Sequence, residues 1–374
     1  MKIVVIGAGY AGTIAANRLA RKCKDAEVSV INPRAEFVER VRLHQQIAGT
    51  GSATTPLIEM LRKNVDIQLG SVDKIGDGAL RLDDGTSIRF DYLIVAVGST
   101  VSPLPGTVAV GTYEAAVVAG ASLSDLPAGK TVTVIGGGPT GIETAAEIAE
   151  SRPDVHVRIV GQTIGATLSP AAQRRVCEDL GRMNVQIVQD VVDEVRTMET
   201  PLGGTVVLRS REELHSDLTL WAVVADVPEL VASSGLAVDA SGRAVVDEYL
   251  RSVTDERIFV VGDCAAVPDA RFACATATPQ GAHAAGSIIR IAKGHKIRKF
   301  SMGYTGQALS LGRRNGLLQA CRRDDTPRRL FVTGIPGAVS KEGVNRYAKY
   351  GSRTANYVWL PGRKRPARPP RQLG

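Results

Sequence analysis

The sequence is poor in aromatic residues, has few cysteines and contains no long hydrophobic run. Aromatic residues make up only 4% of the 374 residues, whereas glycine accounts for 39 of them. A composition of this kind suits folds in which the backbone approaches a ligand closely. No apolar run reaches the roughly 20 residues that a membrane-spanning helix needs, so we expect none.

The cysteines are scattered along the chain, and none forms a CxxC pair. They are Cys23, Cys177, Cys264, Cys274 and Cys321. Their spacing argues against a metal site and against a redox-active pair of adjacent thiols. Unpaired cysteines favour a reducing compartment. The first predicted strand begins at residue 2, which leaves no room for a signal peptide. We therefore expect a cytoplasmic protein without a bound metal.

Charge is distributed unevenly between the body of the chain and its end. Residues 290–374 contain 20 Lys and Arg but only three Asp and Glu, so this part has a net charge of +17. The net charge of the whole chain is +8. The preceding residues therefore carry a net −9. The segment 361–374, PGRKRPARPPRQLG, has five basic residues, four prolines and no acid. This composition predicts a disordered tail, and the basic end indicates an anionic partner.

A glycine motif follows the first apolar segment. Residues 2–6, KIVVI, are typical of a buried parallel strand. The next six residues are Gly7, Ala8, Gly9, Tyr10, Ala11 and Gly12. A helix is predicted over 13–21 and a second strand over 28–31. In such a motif the first glycine permits a tight turn, the second lets backbone approach a pyrophosphate, and the third lets helix and strand pack closely.

The same pattern recurs farther along the chain with the same internal spacing. A strand is predicted over 131–135, a helix over 142–149 and another strand over 155–160. Between the first strand and the helix lie Gly136, Gly137, Gly138, Pro139, Thr140 and Gly141. One such motif is weak evidence, but two in the same strand–loop–helix–strand context predict two bound dinucleotides. A flavin and a nicotinamide are the obvious pair, because one relays electrons from the other.

Two further strands end in glycine turns. Residues 91–99, DYLIVAVGS, lead into Gly98, and residues 258–263, IFVVGD, end in Gly262 and Asp263. A carboxylate at the end of such a strand is placed to accept a hydrogen bond from a ribityl hydroxyl. The alternative role for this aspartate is that of a helix N-cap.

The segments VVIGAGYAG, DYLIVAVGS, VIGGGPTGIE and IFVVGDCAAV stand in the order seen in the two-dinucleotide-domain flavoprotein reductases, the pyridine nucleotide-disulfide oxidoreductase superfamily. The resemblance covers about residues 1–320 and is closest to type II NADH:quinone dehydrogenases and apoptosis-inducing-factor-like flavoproteins. It implies an α/β protein with two Rossmann-like three-layer domains and a C-terminal extension. The expected division is an FAD-binding domain at 1–110 and 255–295, an inserted NAD(P)H-binding domain at 111–254, a C-terminal interface region at 296–360 and the basic tail at 361–374.

The resemblance also implies which residues bind FAD. Asn32 stands where many relatives place an acid that binds the adenosine ribose. Residues 32–50 resemble the stretch that passes near the flavin in type II dehydrogenases, and Arg42, His44 and Gln45 are the candidates for flavin contacts. A surface or helix-face role for His44 stays open. The remaining FAD candidates are Gly7, Gly9, Tyr10, Ala11, Gly12, Gly98, Gly262 and Asp263.

For NAD(P)H, the matching positions are Gly136, Gly138, Pro139, Thr140 and Gly141. Glu143 matches a glutamate that lies near the nicotinamide in the family, and its alternative is a carboxylate satisfied by the helix N-terminus. The second strand of this domain ends in Val160, Gly161 and Gln162, without an acid that would favour NADH. The nearest arginine is Arg158, and we expect both NADH and NADPH to be accepted.

The electron acceptor is the least constrained part of the interpretation. Gln280 matches a glutamine of the type II dehydrogenases beside the flavin, where quinone docks. The second glutamine of that pattern is replaced by Ala284 or Ala285. His283 is new at this place and is a candidate proton donor, with a packed or solvated helix residue as its alternative. Pro279 is expected at the start of this helix.

The sequence therefore predicts an NAD(P)H dehydrogenase that reduces FAD and then a quinone or similar small acceptor. A ferredoxin-type reductase with a protein acceptor is one alternative, and a binding protein like apoptosis-inducing factor with low turnover is another. Residues 339–360 mix basic residues with tyrosines and a tryptophan. This mixture suits peripheral contact with the inner face of an anionic membrane. A solvated helix or a homodimer contact remains the alternative, and no specific nucleic acid is expected.

Overall fold

The computed structural model describes residues 1–197, 202–223 and 226–362. The strands, in chain order, are β1 (Lys2–Ile6), β2 (Glu27–Asn32), β3 (Glu36–Val38), β4 (Thr54–Pro56), β5 (Val65–Leu69), β6 (Val72–Gly76), β7 (Ala79–Leu82), β8 (Ser87–Arg89), β9 (Tyr92–Val95), β10 (Val108–Ala109), β11 (Thr131–Ile135), β12 (His156–Val160), β13 (Gln186–Val188), β14 (Val192–Thr197), β15 (Gly204–Leu208), β16 (Glu213–Ser216), β17 (Leu218–Trp221), β18 (Ile258–Val260), β19 (Gly306–Ser310), β20 (Gly316–Cys321) and β21 (Pro327–Thr333). The helices are α1 (Tyr10–Lys22), α2 (Leu43–Ile47), α3 (Leu57–Met60), α4 (Tyr113–Asp125), α5 (Pro139–Ser151), α6 (Pro170–Arg182), α7 (Leu230–Ser233), α8 (Cys274–Ala292) and α9 (Ile335–Thr354), and a 3₁₀ turn spans Arg40–Arg42.

The first domain is built on a parallel sheet with strand order β18-β9-β1-β2-β5. Its strands are short, apolar and rich in β-branched residues, so both faces are buried. Helices α1 and α8 cover the sheet and pack closely on each other. The small antiparallel sheet β6-β7-β8 contributes Ile75, Leu80 and Leu82 to the same core. Helix, parallel sheet and antiparallel sheet form the three predicted layers.

The second domain repeats this plan. Its parallel sheet has the order β10-β17-β11-β12-β13, and the antiparallel sheet β14-β15-β16 packs against it. Even the strand register is repeated, because Lys2 pairs with Glu27 and Thr131 pairs with His156. Thr131 follows Lys2 in the sequence by the same number of positions as His156 follows Glu27. The tandem dinucleotide-binding architecture predicted from the sequence is confirmed.

The chain crosses twice between the two sheets. Strand β18 joins the first sheet although it follows the whole second sheet in the sequence. The second sheet begins at β10, close to the boundary predicted at residue 110. These connections agree with an inserted second domain, while the exact domain limits stay a prediction.

The C-terminal region forms an antiparallel sheet, β19-β20-β21, followed by the 20-residue helix α9. Leu309, Leu311 and Leu317 share a core with the second domain. The end of α9 returns to the first domain, where the Asn17 side chain donates to the carbonyl oxygens of Ser352 and Arg353. The region therefore bridges both dinucleotide-binding domains. The predicted tail lies outside the described residues from residue 363 onward.

Helix α8 corrects one expectation. Pro279 was expected at the start of this helix, but α8 begins earlier, at Cys274, and contains Pro279 in its second turn. The extra turn is held by side chains, since Thr278 Oγ1 donates to the Cys274 carbonyl and Thr276 Oγ1 to that of Ala273. Pro279 lies inside the helix, where its missing N–H leaves the Ala275 carbonyl without the usual intrahelical donor. Within the described ranges, no helix is long and apolar enough to cross a membrane.

Candidate functional site

The two glycine loops have the same steric design. Gly7 has a φ of +91° and Gly136 a φ of +131°, which side-chain-bearing residues rarely adopt. A Cβ atom at Gly12 would overlap the carbonyl oxygen of Gly7, and one at Gly141 would overlap that of Gly136. The first and third glycines of each motif are therefore required by the protein itself.

The second glycine of each motif is different. A Cβ atom at Gly9 or at Gly138 would meet no protein atom within 4 Å. Their backbones are extended, with φ near −74° and −79°, which any residue adopts. Each caps the N-terminus of a 13-residue helix, whose backbone N–H groups and dipole favour an anion. Glycine at these two positions is explained by the approach of a ligand phosphate, so both loops fit a dinucleotide.

The candidates beside the two loops differ in burial, since Tyr10 and Ala11 are buried whereas Pro139 is exposed and Thr140 is half-buried. The Tyr10 ring lies edge-on to Phe37, with its hydroxyl buried and unpaired among the described residues. Ala11 contacts α8, where a Cβ atom at Gly281 would overlap its carbonyl oxygen. In the second loop Pro139 is the first residue of α5, and the carbonyl of Thr140 accepts a hydrogen bond from Thr144.

Asn32 supports the first glycine loop. Its Oδ1 accepts the N–H of Ala8 at 3.0 Å, and its Nδ2 donates to the carbonyl of Arg34 at 2.7 Å. The side chain therefore links the end of β2 to the loop. Binding of the adenosine ribose by the second N–H of this amide stays a prediction.

Asp263 lies between Ser99 and Arg40. Ser99 Oγ donates to its carboxylate at 2.7 Å, and the Arg40 guanidinium lies 3.6 Å away. Burial raises the pKa of Asp263, while Ser99 and Arg40 oppose that shift. The N–H of Ala273 also favours the carboxylate, but Ala273 and not Asp263 is the N-cap of α8. Gly98 has a φ of +73°, and this turn brings Ser99 beside the aspartate.

The two candidates on α8 have different surroundings. Gln280 is buried, and its Oε1 accepts the N–H of Gly262 at 2.7 Å, which ties the helix to the turn before Asp263. The His283 ring packs edge-on against Phe300, with 5.2 Å between centroids. Burial lowers its pKa to about 4, so it is neutral at pH 7. A neutral imidazole is a poor acid, and the proton-donor role of His283 stays an untested prediction.

Glu143 joins three parts of the molecule. Its Oε1 accepts the N–H of Ser310 at 2.9 Å and the Lys341 ammonium at 2.8 Å. His44 of the first domain lies beside it, with 3.9 Å between Nδ1 and Oε2. We call Glu143, His44 and Lys341 the interdomain triad. The carboxylate that the sequence placed near the nicotinamide is thus held by the C-terminal region rather than by its own helix terminus.

Arg42 and Gln45 lie beside this triad. The Arg42 guanidinium binds Glu39 at 3.2 Å and Glu342 at 2.9 Å, and it also donates to Gln45 Oε1. Arg42 is therefore engaged by protein carboxylates, whereas Arg40, two positions earlier, points toward Asp263.

His44 makes stability depend on pH. Burial lowers its pKa to about 4, below the ordinary 6.5, so the unfolded chain binds the proton more readily between these values. Stability is therefore lost as pH falls from 6.5 toward 4. We expect His44→Gln to remove about 2 kcal/mol of the difference in unfolding free energy between pH 7 and pH 5. Denaturant unfolding at both pH values measures it, and an unchanged difference in the variant would contradict the assignment.

A cleft that is lined by Lys341 of the triad opens to the surface. It has a volume of about 630 Å³ and lies between α9 and the turn after β19. We call it the acceptor cleft. Its inner part includes Gln45, Ser310 and Lys341, and its outer part includes Ile335, Ala338 and Val339.

Sequence reasoning missed Arg40, Ser99, Ser310 and Lys341. The stretch around Arg40 was recognised, but no sequence signal shows which way each arginine points in a 3₁₀ turn. Ser310 and Lys341 are remote from Glu143 in the sequence, and their role appears only when the C-terminal sheet and helix fold back.

The cysteines, by contrast, behave as expected. All five are free. Burial raises the pKa of Cys264 to about 12 and also raises the pKa of Cys274. Both thiols therefore stay protonated near neutral pH, which does not suit thiol–disulfide chemistry.

Comparison with known proteins agrees with this geometry. The chain is 26% identical over 347 residues to ferroptosis suppressor protein 1 of Xenopus laevis, covering 85% of this chain and 88% of that protein. It is 27% identical over 382 residues to an NADH dehydrogenase-like protein of Mycobacterium tuberculosis (strain ATCC 25618 / H37Rv), covering 92% and 93%. The solved structure of the sulfide:quinone oxidoreductase from Aquifex aeolicus has a TM-score of 0.78 at 19% identity, covering 95% and 92%, which shows the shared fold.

The family comparison is decisive for identity. The model of the pyridine nucleotide-disulphide oxidoreductase family matches residues 1–287, which include both glycine loops, Asp263 and Gln280. The chain therefore belongs to the pyridine nucleotide-disulphide oxidoreductase family and is an NAD(P)H-dependent flavoprotein oxidoreductase with FAD as its cofactor.

Proposed function

We propose that the protein is an NAD(P)H:quinone oxidoreductase whose quinone enters through the acceptor cleft. The observation that carries this proposal is the cleft itself, whose outer part combines the exposed apolar side chains of Ile335 and Val339 with exposed arginines and whose inner end carries Lys341; the arginines are Arg313, Arg314 and Arg346. A lipid quinone needs both features, an apolar path for its tail and polar groups for its ring. The quinone named for the Aquifex aeolicus relative agrees with this choice.

The residues have distinct tasks in this proposal. The loop with Gly9 and the Asp263 turn hold FAD, and the loop with Gly138 holds NAD(P)H. FAD, when bound, supplies the electron relay between nicotinamide and acceptor. Lys341 stabilises negative charge that develops on the quinone oxygen, because its ammonium lies at the inner end of the cleft. Glu143 keeps Lys341 in place, and the hydrogen bond from Ser310 orients the carboxylate.

The surface around the cleft supports peripheral membrane contact. Ile335, Val339, Tyr347 and Tyr350 form an exposed stripe on α9, and Leu330 of β21 is 67% exposed nearby. Arg313, Arg314 and Arg346 line the cleft together with Ile335 and Val339 of this stripe, and basic residues suit an anionic bilayer surface. We propose that the stripe meets the membrane from which quinone enters. Co-sedimentation with anionic but not neutral vesicles is the expected result, and sedimentation with neither removes this part of the proposal.

The acceptor is tested by flavin reoxidation. The holoprotein is reduced anaerobically with NAD(P)H and then mixed with a soluble quinone, a ferredoxin or a disulfide. Fast reoxidation by quinone alone supports the proposal. Reoxidation only by ferredoxin would instead support the protein-acceptor alternative. Slow reoxidation by every acceptor would favour a redox-sensing role.

Substitution in the cleft mouth gives a sharper prediction. We expect Val339→Asp to lower kcat/KM for quinone about tenfold or more, because an apolar contact worth about 1.5 kcal/mol is lost and a charge is introduced. Flavin reduction by NAD(P)H should stay unchanged. Val344→Asp is the matched control, since Val344 is an exposed valine on the same helix outside the cleft lining. Equal effects of the two substitutions would contradict the cleft assignment.

A further inference from the structure

The end of β12 cannot carry an acidic side chain. Gly161 directly follows this strand, and a Cβ atom built on it would lie 2.6 Å from the backbone nitrogen of Gly137 in the glycine loop. The matching strand registers of the two domains place Gly161 at the position that Asn32 occupies in the first. A carboxylate at this position commonly binds the ribose 2′-hydroxyl of NADH. The close approach of two loops excludes that means of recognition here.

Other acids near this edge of the sheet do not replace it. Asp190 comes soon after β13, but its carboxylate accepts the backbone N–H groups of Val191 and Ser210. It is therefore committed to the neighbouring turn. Glu178 faces the neighbouring cleft, but it stands on α6 and not at the strand end, and its carboxylate lies 3.9 Å from Arg182.

A cleft lies at the carboxyl ends of β12 and β13, and we call it the adenosine cleft. It has a volume of about 550 Å³, and its lining includes Thr163, Gln173, Arg174, Glu178 and Gln189. The loop after β12 folds onto the glycine loop, since the N–H of Gly165 donates to the carbonyl of Gly137. The cleft therefore adjoins the loop that receives the pyrophosphate. In this fold, that place is occupied by the adenosine ribose.

Arg174 differs from the other arginines nearby. Arg175 and Arg182 both bind Asp179, and the Arg158 guanidinium donates to Gln186 and to the carbonyl of His215. Arg174 is exposed, and within the described part of the chain its guanidinium has no hydrogen bond or ion pair. Its donors are therefore available to an anionic ligand in the cleft.

We propose that Arg174 binds the 2′-phosphate of NADPH in the adenosine cleft and gives this protein a preference for NADPH over NADH. The planar guanidinium matches a phosphate with paired hydrogen bonds, and the hydroxyl of Thr163 and the amides of Gln173 and Gln189 add neutral donors. NADH offers only a hydroxyl at this place. The inference rests on the proposed function, because it concerns the nucleotide that supplies its electrons.

The test separates nucleotide recognition from catalysis. The holoprotein is titrated calorimetrically with 2′-phospho-ADP-ribose and with ADP-ribose. We expect 2′-phospho-ADP-ribose to bind at least tenfold more tightly than ADP-ribose. Arg174→Gln should weaken its binding about tenfold and change ADP-ribose binding less than twofold, as expected for one charge-assisted contact. Higher salt should weaken 2′-phospho-ADP-ribose more than ADP-ribose, because both carry the charged pyrophosphate and only the former carries the 2′-phosphate. Arg329→Gln, at an exposed arginine of β21 outside the cleft lining, is the control and should leave both affinities unchanged.

The possible outcomes distinguish this inference from the proposed function. Equal wild-type affinity for the two ligands, or equal weakening of both by Arg174→Gln, would overturn the role of Arg174. Anaerobic flavin reduction by NADPH and NADH is measured on the same samples. If both nucleotides reduce the flavin at the same rate and Arg174→Gln has no selective effect, only this inference fails. If neither nucleotide reduces it, the proposed function fails.

Discussion

Gly9→Val is expected to give a folded protein that purifies without FAD. The backbone of Gly9 is extended, and a Cβ atom would meet no protein atom within 4 Å, so the fold has room for the side chain. As the N-cap of α1, glycine is replaced at a cost of about 1 kcal/mol. The valine methyl groups, however, occupy the space through which a pyrophosphate reaches the helix N-terminus. We expect the ratio of flavin to protein absorbance to fall at least tenfold.

Two controls make this result specific. Circular dichroism should show the same helix content in the variant as in the wild-type protein. Gly12→Ala should behave differently, because its Cβ atom would overlap the Gly7 carbonyl oxygen and the whole turn would be disrupted. A Gly9→Val protein that retains a full complement of FAD would disprove the assignment of the first loop.

Gly138→Val is expected to leave FAD bound and to prevent its reduction by NAD(P)H. Gly138 has the same extended backbone and the same free space, but it caps α5 in the second domain. The substitution therefore acts on the second dinucleotide alone. We expect the rate of flavin reduction to fall at least 100-fold, since the nicotinamide can no longer be held in position.

Stopped-flow reduction and a chemical reductant together measure this effect. Dithionite should reduce the flavin of Gly138→Val as completely as that of the wild-type protein. Calorimetric titration with ADP-ribose should show lost binding in this variant and retained binding in Gly9→Val. If both substitutions affected the same cofactor, the assignment of FAD to the first loop and of NAD(P)H to the second would be wrong.

The tandem repeat was predictable because its signals are local. A short β-branched strand, a glycine turn and a helix follow one another within about 30 residues, so the sequence pattern and the strand register coincide. Gly7 and Gly136 even reveal the backbone conformation, since only glycine readily adopts their positive φ. The observed bounds of the strands and helices differ from the predicted bounds by a few residues. Pro279 lies inside α8 rather than at its start, because the helix extends back to Cys274.

The interdomain triad was not predictable in the same way. Glu143 was recognised from its motif, but its partners His44 and Lys341 come from elements that are far from it in the sequence, one on either side. No periodicity links these positions. The path of α9 back to α1 brings them together, and burial then lowers the pKa of His44. Likewise, the direction of Arg40 toward Asp263 depends on how a short 3₁₀ turn meets the neighbouring sheet.

The amino-acid sequence by itself determined that two dinucleotide-binding units stand in tandem, because glycine positions, strand composition and helix starts are properties of neighbouring residues. Only the tertiary structure decided which charged groups meet between the two domains and where a cleft opens beside them. Those features arise where α9 and the β19–β20 turn close over α2 and α5. Contacts between distant segments depend on how whole elements pack, and a linear pattern of residue types carries no direct record of that packing.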